Sequence, residues 1–347
     1  MLRRVLLTIV LGLACFQVRE LFTEEPGLDA AGRGAPINWQ MPTFGGMQYW
    51  ADEQIAGPLR IQRNVNTGHY RLLNGSDERL AWGTYPQCAA KLAEIRRLDQ
   101  IKPPTTRVVI LLHGMARTRH SMDDIAAAIR KVDGADVVSF GYPSLQEDVP
   151  ALARSFDLFV RRLGADGVLE IDVVAYSMGN LVTRYWLGEV AAQTAAAGGV
   201  RPPNVPQLRR YVMLGPPNHG AQRANLWMEN TIGRELFNFA VGDGGQQLGP
   251  RFHEIKDRLA TPEAEFGIIA GGKGDGVGWH DGIDGDDDGT VGVRETQLAG
   301  ATDFVVVPLK HRSLLHERES LEKIASFLKN GYFTAAEARH PLLSDHK

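Results

Sequence analysis

Short aliphatic runs alternate with longer amphipathic segments from residue 107 onwards, and this alternation restricts the fold more than any other feature of the chain. The first run, Val108 to Leu112, has the continuous aliphatic character of a strand that is buried on both faces of a parallel sheet. Further strands are predicted at 136–140, 169–174, 210–214, 265–270 and 303–307, and helices at 121–133, 149–163, 178–197 and 315–330. This order of elements predicts an α/β fold with a mostly parallel central sheet and helices on both faces.

The N-terminus has the composition of a targeting segment. Arg3 and Arg4 precede an apolar run that ends at Val18, which is shorter than the roughly 20 residues that a helix needs to cross a bilayer. This arrangement is typical of a signal peptide or signal anchor, which we assign to residues 1–22; the alternative is a buried helix. It predicts a protein that is exported to the periplasm or the extracellular space, or anchored to a membrane. The sequence is compatible with a cleaved or an uncleaved segment, and with a lipidated or a free Cys15.

The remaining regions differ in composition. Residues 23–46 are rich in Gly, Pro and acidic residues, which predicts a linker. Residues 47–104 predict a small α+β module with no evident function, in which two alternating segments flank Asn66-Thr67-Gly68 as in a hairpin and 86–97 is helical. We assign 105–332 to the main α/β domain and 333–347 to a C-terminal tail. Apolar clusters within 221–263 predict either a cap over a pocket or helices that complete the core.

The net charge and the cysteine content bear on nucleic acid binding and on disulfide formation. The formal net charge is −3, which gives no electrostatic reason to expect a nucleic acid partner. Removal of the N-terminal segment with Cys15 leaves a single thiol, so no intramolecular disulfide is expected. That thiol, Cys88, has no catalytic partner nearby in the sequence, and we expect it to be buried.

The predicted strand at 169–174 leads into a turn that is typical of a nucleophilic serine. The turn is Ala175-Tyr176-Ser177-Met178-Gly179, and a predicted helix follows it directly. Small residues on either side of the serine allow the sharp strand-to-helix turn that exposes a hydroxyl above a sheet. The start of the helix offers free backbone amides and a positive dipole end to a developing oxyanion. These features indicate Ser177 as a nucleophile.

A second backbone donor is expected in the loop after the first strand. His113-Gly114-Met115 follows the run from Val108 to Leu112, and the glycine allows a close approach of the chain. We therefore expect the oxyanion donors to be the amides of Met115 and Met178. His113 lies directly after the strand, which favours a structural role in the loop over a role as catalytic base.

His311 is the predicted base, because it follows the last strand of the domain by a few residues and precedes the closing helix. His316 is expected within that helix, with its side chain directed away from the site. His219 lies in a loop after the predicted strand at 210–214 and is expected to shape the pocket.

The acid is expected in an aspartate-rich loop between the nucleophile and the base. Asp288 is favoured because Asp-Gly-Thr-Val leads into an apolar segment that can fix the carboxylate, and Asp286 or Asp287 replaces it if the register is shifted. The loop also fits the spacing of an EF-hand calcium site, which would use Asp284, Asp286, Asp288, Gly289 and Glu295. An EF-hand has a helix on each side, and neither flank predicts one.

Taken together, these motifs resemble those of lipase-like α/β-hydrolases over about residues 105–330. The resemblance is carried by His113-Gly114, the turn around Ser177, the segment from Leu214 to Gly220, Asp288-Gly289-Thr290-Val291 and His311. Ala175 replaces the first glycine of the usual serine motif. The resemblance implies Ser177 as nucleophile, Asp288 as acid and His311 as base.

The activity implied by the resemblance is hydrolysis of a carboxylic ester, including lipid esters, through a covalent acyl-enzyme. Such a reaction needs no metal or organic cofactor. The expected partners are a small-molecule or lipid ester and, through the N-terminus, a membrane. A thioesterase, an amidase or an acyltransferase would use the same residues, and a non-catalytic or calcium-binding protein on this fold is the alternative from another class.

Overall fold

The computed structural model describes residues 41–42, 47–132, 134–221 and 245–343. The predicted signal segment with Cys15, nearly all of the predicted linker, residues 222–244 of the predicted cap and the last four residues lie outside the described residues. Within the described ranges, no helix is long and apolar enough to span a membrane.

The N-terminal module is an antiparallel sheet with one helix packed against it. The sheet order is β1-β5-β4-β3-β2, and its strands are β1 (Met41–Pro42), β2 (Trp50–Ala56), β3 (Leu59–Asn64), β4 (Tyr70–Leu73) and β5 (Glu78–Gly83). β3 and β4 form the predicted hairpin. Helix α1 (Tyr85–Leu98) buries Cys88 and Leu92 against the sheet. The small α+β module predicted from the sequence is confirmed.

The main domain is built on six parallel strands in the order β11-β10-β9-β8-β6-β7. The strands are β6 (Arg107–Leu112), β7 (Asp136–Phe140), β8 (Glu170–Tyr176), β9 (Gln207–Leu214), β10 (Glu265–Gly271) and β11 (Asp303–Val307). Aliphatic runs form the central strands because both of their faces are covered: β6 is buried from Val108 to Leu112. Since all six strands run the same way, their carboxyl ends meet at one edge of the sheet.

Helices cover both faces of this sheet. They are α2 (Asp123–Val132), α3 (Val149–Ala165), α4 (Met178–Ala196), the short α5 (Val293–Thr296) and α6 (Arg318–Asn330). One apolar core contains Phe156 of α3 and Trp186 of α4, and the other contains Ile125 of α2 and Phe327 of α6. This is the architecture of the α/β-hydrolases, and the predicted fold class is confirmed.

The closing helix begins later than predicted. A 3-10 turn, His311–Leu315, follows β11, and α6 starts only at Arg318. The prediction that His316 lies within this helix is therefore wrong. His316 precedes the helix and is exposed, and its Nδ1 lies 2.6 Å from Asp124 Oδ2. The Ser313 carbonyl accepts the amides of both His316 and Glu317, and these bonds end the 3-10 turn before α6 begins.

A buried carboxylate joins the antiparallel module to the main domain. Asp52 of β2 is 1% exposed and accepts hydrogen bonds from Arg60, from Gln62 and from the backbone amide of Gly141, which follows β7. The Asp52 amide donates in turn to the Gly141 carbonyl at 2.8 Å. The module is thus fixed to the loop at the carboxyl end of a sheet strand.

Replacing Asp52 with alanine should lower the free energy of unfolding by about 3 kcal/mol, because it leaves a mostly buried guanidinium and two further donors without their acceptor. Urea denaturation measures the change. Asp257→Ala, at an exposed carboxylate, serves as control and should stay within about 0.5 kcal/mol of the unsubstituted protein. A loss for Asp52→Ala no larger than that of the control would contradict this assignment.

Candidate active site

Ser177 lies at the sharp turn between the end of β8 and the start of α4. Its backbone has φ 52° and ψ −121°, a sparsely populated region that costs a non-glycine residue about 1–3 kcal/mol. Three hydrogen bonds hold the turn: the Ser177 amide donates to the Leu214 carbonyl at 2.9 Å, and the backbone amide and Nδ2 of Asn180 each donate to the Ser177 carbonyl at 3.0 Å. Ser177 is half-buried, whereas its neighbours Tyr176 and Met178 are buried. The strained turn therefore presents the serine at the carboxyl edge of the sheet.

The loop after β6 lies directly against this serine. A Cβ added to Gly114 would sit 3.1 Å from Ser177 Cβ and 2.8 Å from the Tyr176 ring, so only glycine fits. Among the described residues, no backbone acceptor binds the amide of Met115, and Met178 is the first residue of α4, so its amide has no acceptor within the helix. These two amides are therefore available to an oxygen atom bound at Ser177.

His113 is part of the scaffold of this loop. It is fully buried, its ring stacks on Tyr142 at a centroid distance of 4.0 Å, and its Nδ1 lies 2.8 Å from the Gly114 carbonyl. Burial lowers the pKa of His113 from 6.5 to about 4, so the ring is neutral near pH 7. These properties fit the structural role predicted for it.

Asp288 and His311 are in direct contact. Asp288 Oδ2 lies 2.6 Å from His311 Nδ1, and both residues are buried. Asp288 Oδ1 accepts the amides of Thr290 and Val291 at 2.9 and 2.8 Å, and the His311 amide donates to the Asp288 carbonyl. The carboxylate is thus fixed on one side by the backbone and holds the imidazole on the other.

The two other aspartates considered as the acid have different partners. Asp286 accepts the backbone amides of Lys273 and Gly274, and Asp287 accepts those of Trp279 and His280. Within the part of the chain that the structure describes, no group of three or more His, Cys, Asp or Glu side chains is arranged to hold a metal ion. The loop therefore folds around its own carboxylates, and the EF-hand geometry is not formed there.

Two contacts bring His311 towards the serine. The Tyr176 ring lies 4.8 Å from the imidazole, and Gly215 packs on it so closely that an added Cβ would be 2.9 Å from His311 Cε1. Gly215 directly follows Leu214, whose carbonyl accepts the Ser177 amide. No hydrogen bond joins Ser177 Oγ to the His311 ring in the described structure; such bonds are often long in unliganded enzymes and tighten when substrate binds. His219, which was expected to shape the pocket, is exposed.

A family model described as a domain of unknown function, DUF7379, matches residues 77–233. No curated protein matches the sequence.

Solved structures of several lipases and esterases are similar to this chain. The mature lipase BlEst2 of Bacillus licheniformis is 19% identical, with 66% of this chain and 91% of that chain covered and a TM-score of 0.49. The phospholipase PlaB of Legionella pneumophila is 18% identical over 64% of this chain and 59% of that chain, with a TM-score of 0.48. An esterase of Pyrococcus furiosus is 15% identical over 85% of this chain and 100% of that chain, with a TM-score of 0.45. At these identities the likeness concerns the fold alone.

The buried His113 should make stability depend on pH. Because folding lowers its pKa from 6.5 to about 4, the unfolded chain binds a proton between these pH values that the folded chain does not. Stability should therefore fall as the pH drops from about 6.5 to about 4, by up to about 3 kcal/mol from this residue. Urea denaturation of the unsubstituted protein and of His113→Gln at about pH 7 and about pH 4.5 isolates the contribution. Equal losses in the two proteins would contradict it.

The contact of Gly215 with the imidazole can be tested separately from backbone strain. Gly215→Ala should displace His311, the predicted base, and slow the reaction of Ser177 with a fluorophosphonate by about ten- to a hundredfold, because misplacing a base by about 1 Å costs a comparable factor. Gly198→Ala is the matched control, since Gly198 also has a positive φ of 66° but has nothing within 4 Å of an added Cβ. Similar labelling rates for the two variants would show that the contact is unimportant.

Proposed function

We propose that this chain is a serine hydrolase that cleaves carboxylic esters through a Ser177-Asp288-His311 triad. The observation that carries the proposal is the buried Asp288–His311 contact at the same sheet edge as the strained Ser177 turn. A carboxylate bound to Nδ1 keeps the proton on that nitrogen, which leaves Nε2 free to accept a proton from a serine hydroxyl. Each side chain follows a different strand, so the arrangement depends on the fold and not on local sequence alone.

The reaction proceeds in two steps. His311 takes the proton of Ser177 as Oγ attacks the ester carbonyl carbon, and the amides of Met115 and Met178 bind the oxyanion of the tetrahedral intermediate. The intermediate collapses to an acyl-enzyme as His311 gives its proton to the leaving alcohol. Water, deprotonated by the same imidazole, then attacks the acyl carbon, and His311 returns this proton to Ser177 Oγ as the C–Oγ bond breaks and the acid is released. Asp288 stabilises the imidazolium in both steps, and no metal or organic cofactor takes part.

The residues of the proposed triad determine the type of reaction more closely than they determine the substrate. Thioesters, amides and acyl transfer to a second alcohol require the same residues. A lipid ester substrate and membrane association through the N-terminus remain predictions from the sequence, because residues 1–40 and 222–244 lie outside the described structure. Carboxylic esters are proposed first, since they are the substrates that the resemblance in the sequence implies.

Hydrolysis of p-nitrophenyl esters of increasing chain length, beside a thioester and an anilide, tests the proposal. Ser177→Ala should abolish turnover, and Asp288→Asn should reduce kcat by about 10⁴-fold, because the amide stabilises the wrong tautomer of the imidazole. Asp286→Asn, at a neighbouring carboxylate that accepts backbone amides of its own loop in the described structure, should retain most of the activity. Hydrolysis by Ser177→Ala at the rate of the unsubstituted protein would refute the proposal, and a larger loss in Asp286→Asn than in Asp288→Asn would move the acid to Asp286.

A further inference from the structure

The antiparallel module, for which the sequence suggested no function, contacts the loop that carries the proposed oxyanion donor Met115. The contact is made by Gln48, in the 3-10 turn Met47–Tyr49 before β2. Its Nε2 donates to the Arg117 carbonyl at 2.7 Å, and its Oε1 accepts the Leu145 amide at 3.1 Å and the Ser144 hydroxyl at 3.2 Å. One side chain therefore joins the loop after β6 to the loop after β7.

Ser144 completes this connection. It is fully buried, and its Oγ accepts the backbone amide of Ala116 at 3.1 Å. Gln48 therefore acts on the loop at two points, directly through the carbonyl of Arg117 and through Ser144 at the amide of Ala116. Met115 lies immediately before these two residues.

The backbone of this loop needs such support. Ala116 has φ 56°, in the left-handed region that residues other than glycine seldom adopt. Within the described residues, the backbone hydrogen bond that closes this turn is a long one, from the Arg117 amide to the Gly114 carbonyl at 3.3 Å. Relaxation of Ala116 to a negative φ would rotate the neighbouring peptides and change the direction of the Met115 amide.

A second contact from the module holds the far end of the same loop. Asp77, in the turn between β4 and β5, binds Arg119 Nη2 and lies 3.0 Å from His120 Nε2. Arg119 is buried, and its Nη1 also lies 3.7 Å from the sulfur of Met47, next to Gln48. The module thus contacts the loop at three residues that follow its strained residue, namely Arg117, Arg119 and His120.

We infer that Gln48 is a positioning residue for the oxyanion hole. Through Gln48, the N-terminal module holds the loop that carries the oxyanion donor Met115. The inference rests on the proposed function. Glutamine suits the position because the site needs a donor to one carbonyl and an acceptor for one amide and one hydroxyl. Leucine supplies neither, and glutamate supplies the acceptor but places a charge against the Arg117 carbonyl.

Kinetics of Gln48→Leu and Gln48→Glu on the best p-nitrophenyl ester test the inference. Each should lower kcat by about ten- to a hundredfold with KM changed less than about threefold, because the oxyanion contact strengthens in the transition state. Complete loss of one donor costs about 100- to 1000-fold, which sets the upper limit. The inhibition constant of a trifluoromethyl ketone, whose serine adduct places an oxyanion in the same hole, should rise by a factor close to the fall in kcat/KM.

Gln54→Leu is the matched control, since Gln54 lies in β2 of the same module and accepts only the Tyr85 hydroxyl within the described structure. It should leave kcat and the inhibition constant unchanged. Gln48→Leu and Ser144→Ala should combine non-additively, because both act through one loop. If Gln48→Leu does not fold, Gln48→Glu decides the test.

The possible results separate the two claims. An unsubstituted protein that hydrolyses no ester, or does so without Ser177, would refute the proposed function. Activity that depends on Ser177 but is the same in the Gln48 variants as in Gln54→Leu would refute the inference alone. A fall in kcat without weaker binding of the ketone would also refute it, because the loss would then not lie in the oxyanion hole.

Discussion

The turn at Ser177 is the constraint on which the rest of the site depends. A serine at φ 52° and ψ −121° is unfavourable by itself, and it persists because the strand before it is buried from Ile171 to Tyr176 between two layers of helices. The bond from the Ser177 amide to Leu214 ties the turn to the neighbouring strand. Burial of β8 thus stabilises a backbone conformation that the pentapeptide would not adopt alone, and the hydroxyl stands at the sheet edge as a result.

Parallel strands bring the other groups to the same edge. The segments that follow β6, β10 and β11 carry Met115, Asp288 and His311, so residues far apart in the sequence meet where the strands end. The antiparallel module reaches this edge as well, through Gly141 and Ser144 after β7. Some of the contacts between the module and the main domain therefore fall on the side where the proposed catalytic residues lie, and the inferred influence of the module on the oxyanion loop rests on them.

The sequence was sufficient for the parts of the structure that have a local signal. Aliphatic runs predicted the central strands, because burial on both faces requires them, and the position of Ser177 could be predicted from a strand, a turn and a helix in succession. The start of α6 could not, since the 3-10 turn from His311 depends on how the chain leaves β11. Gln48 carries no local signal at all: its partners lie 69, 96 and 97 residues away, and only the folded chain brings them together.

The aspartate-rich loop shows how one pattern can serve two kinds of structure. Closely spaced aspartates separated by glycine suit a calcium site, but the same glycines expose backbone amides that carboxylates can accept. Here Asp286 and Asp287 each accept several amides of the loop, which closes the loop on itself. The two carboxylate oxygens of Asp288 have different partners: Oδ1 accepts the Thr290 and Val291 amides, and Oδ2 contacts His311 Nδ1. Because one oxygen is fixed by the backbone, the other is held in the direction of the imidazole, so the loop fold itself orients the proposed base.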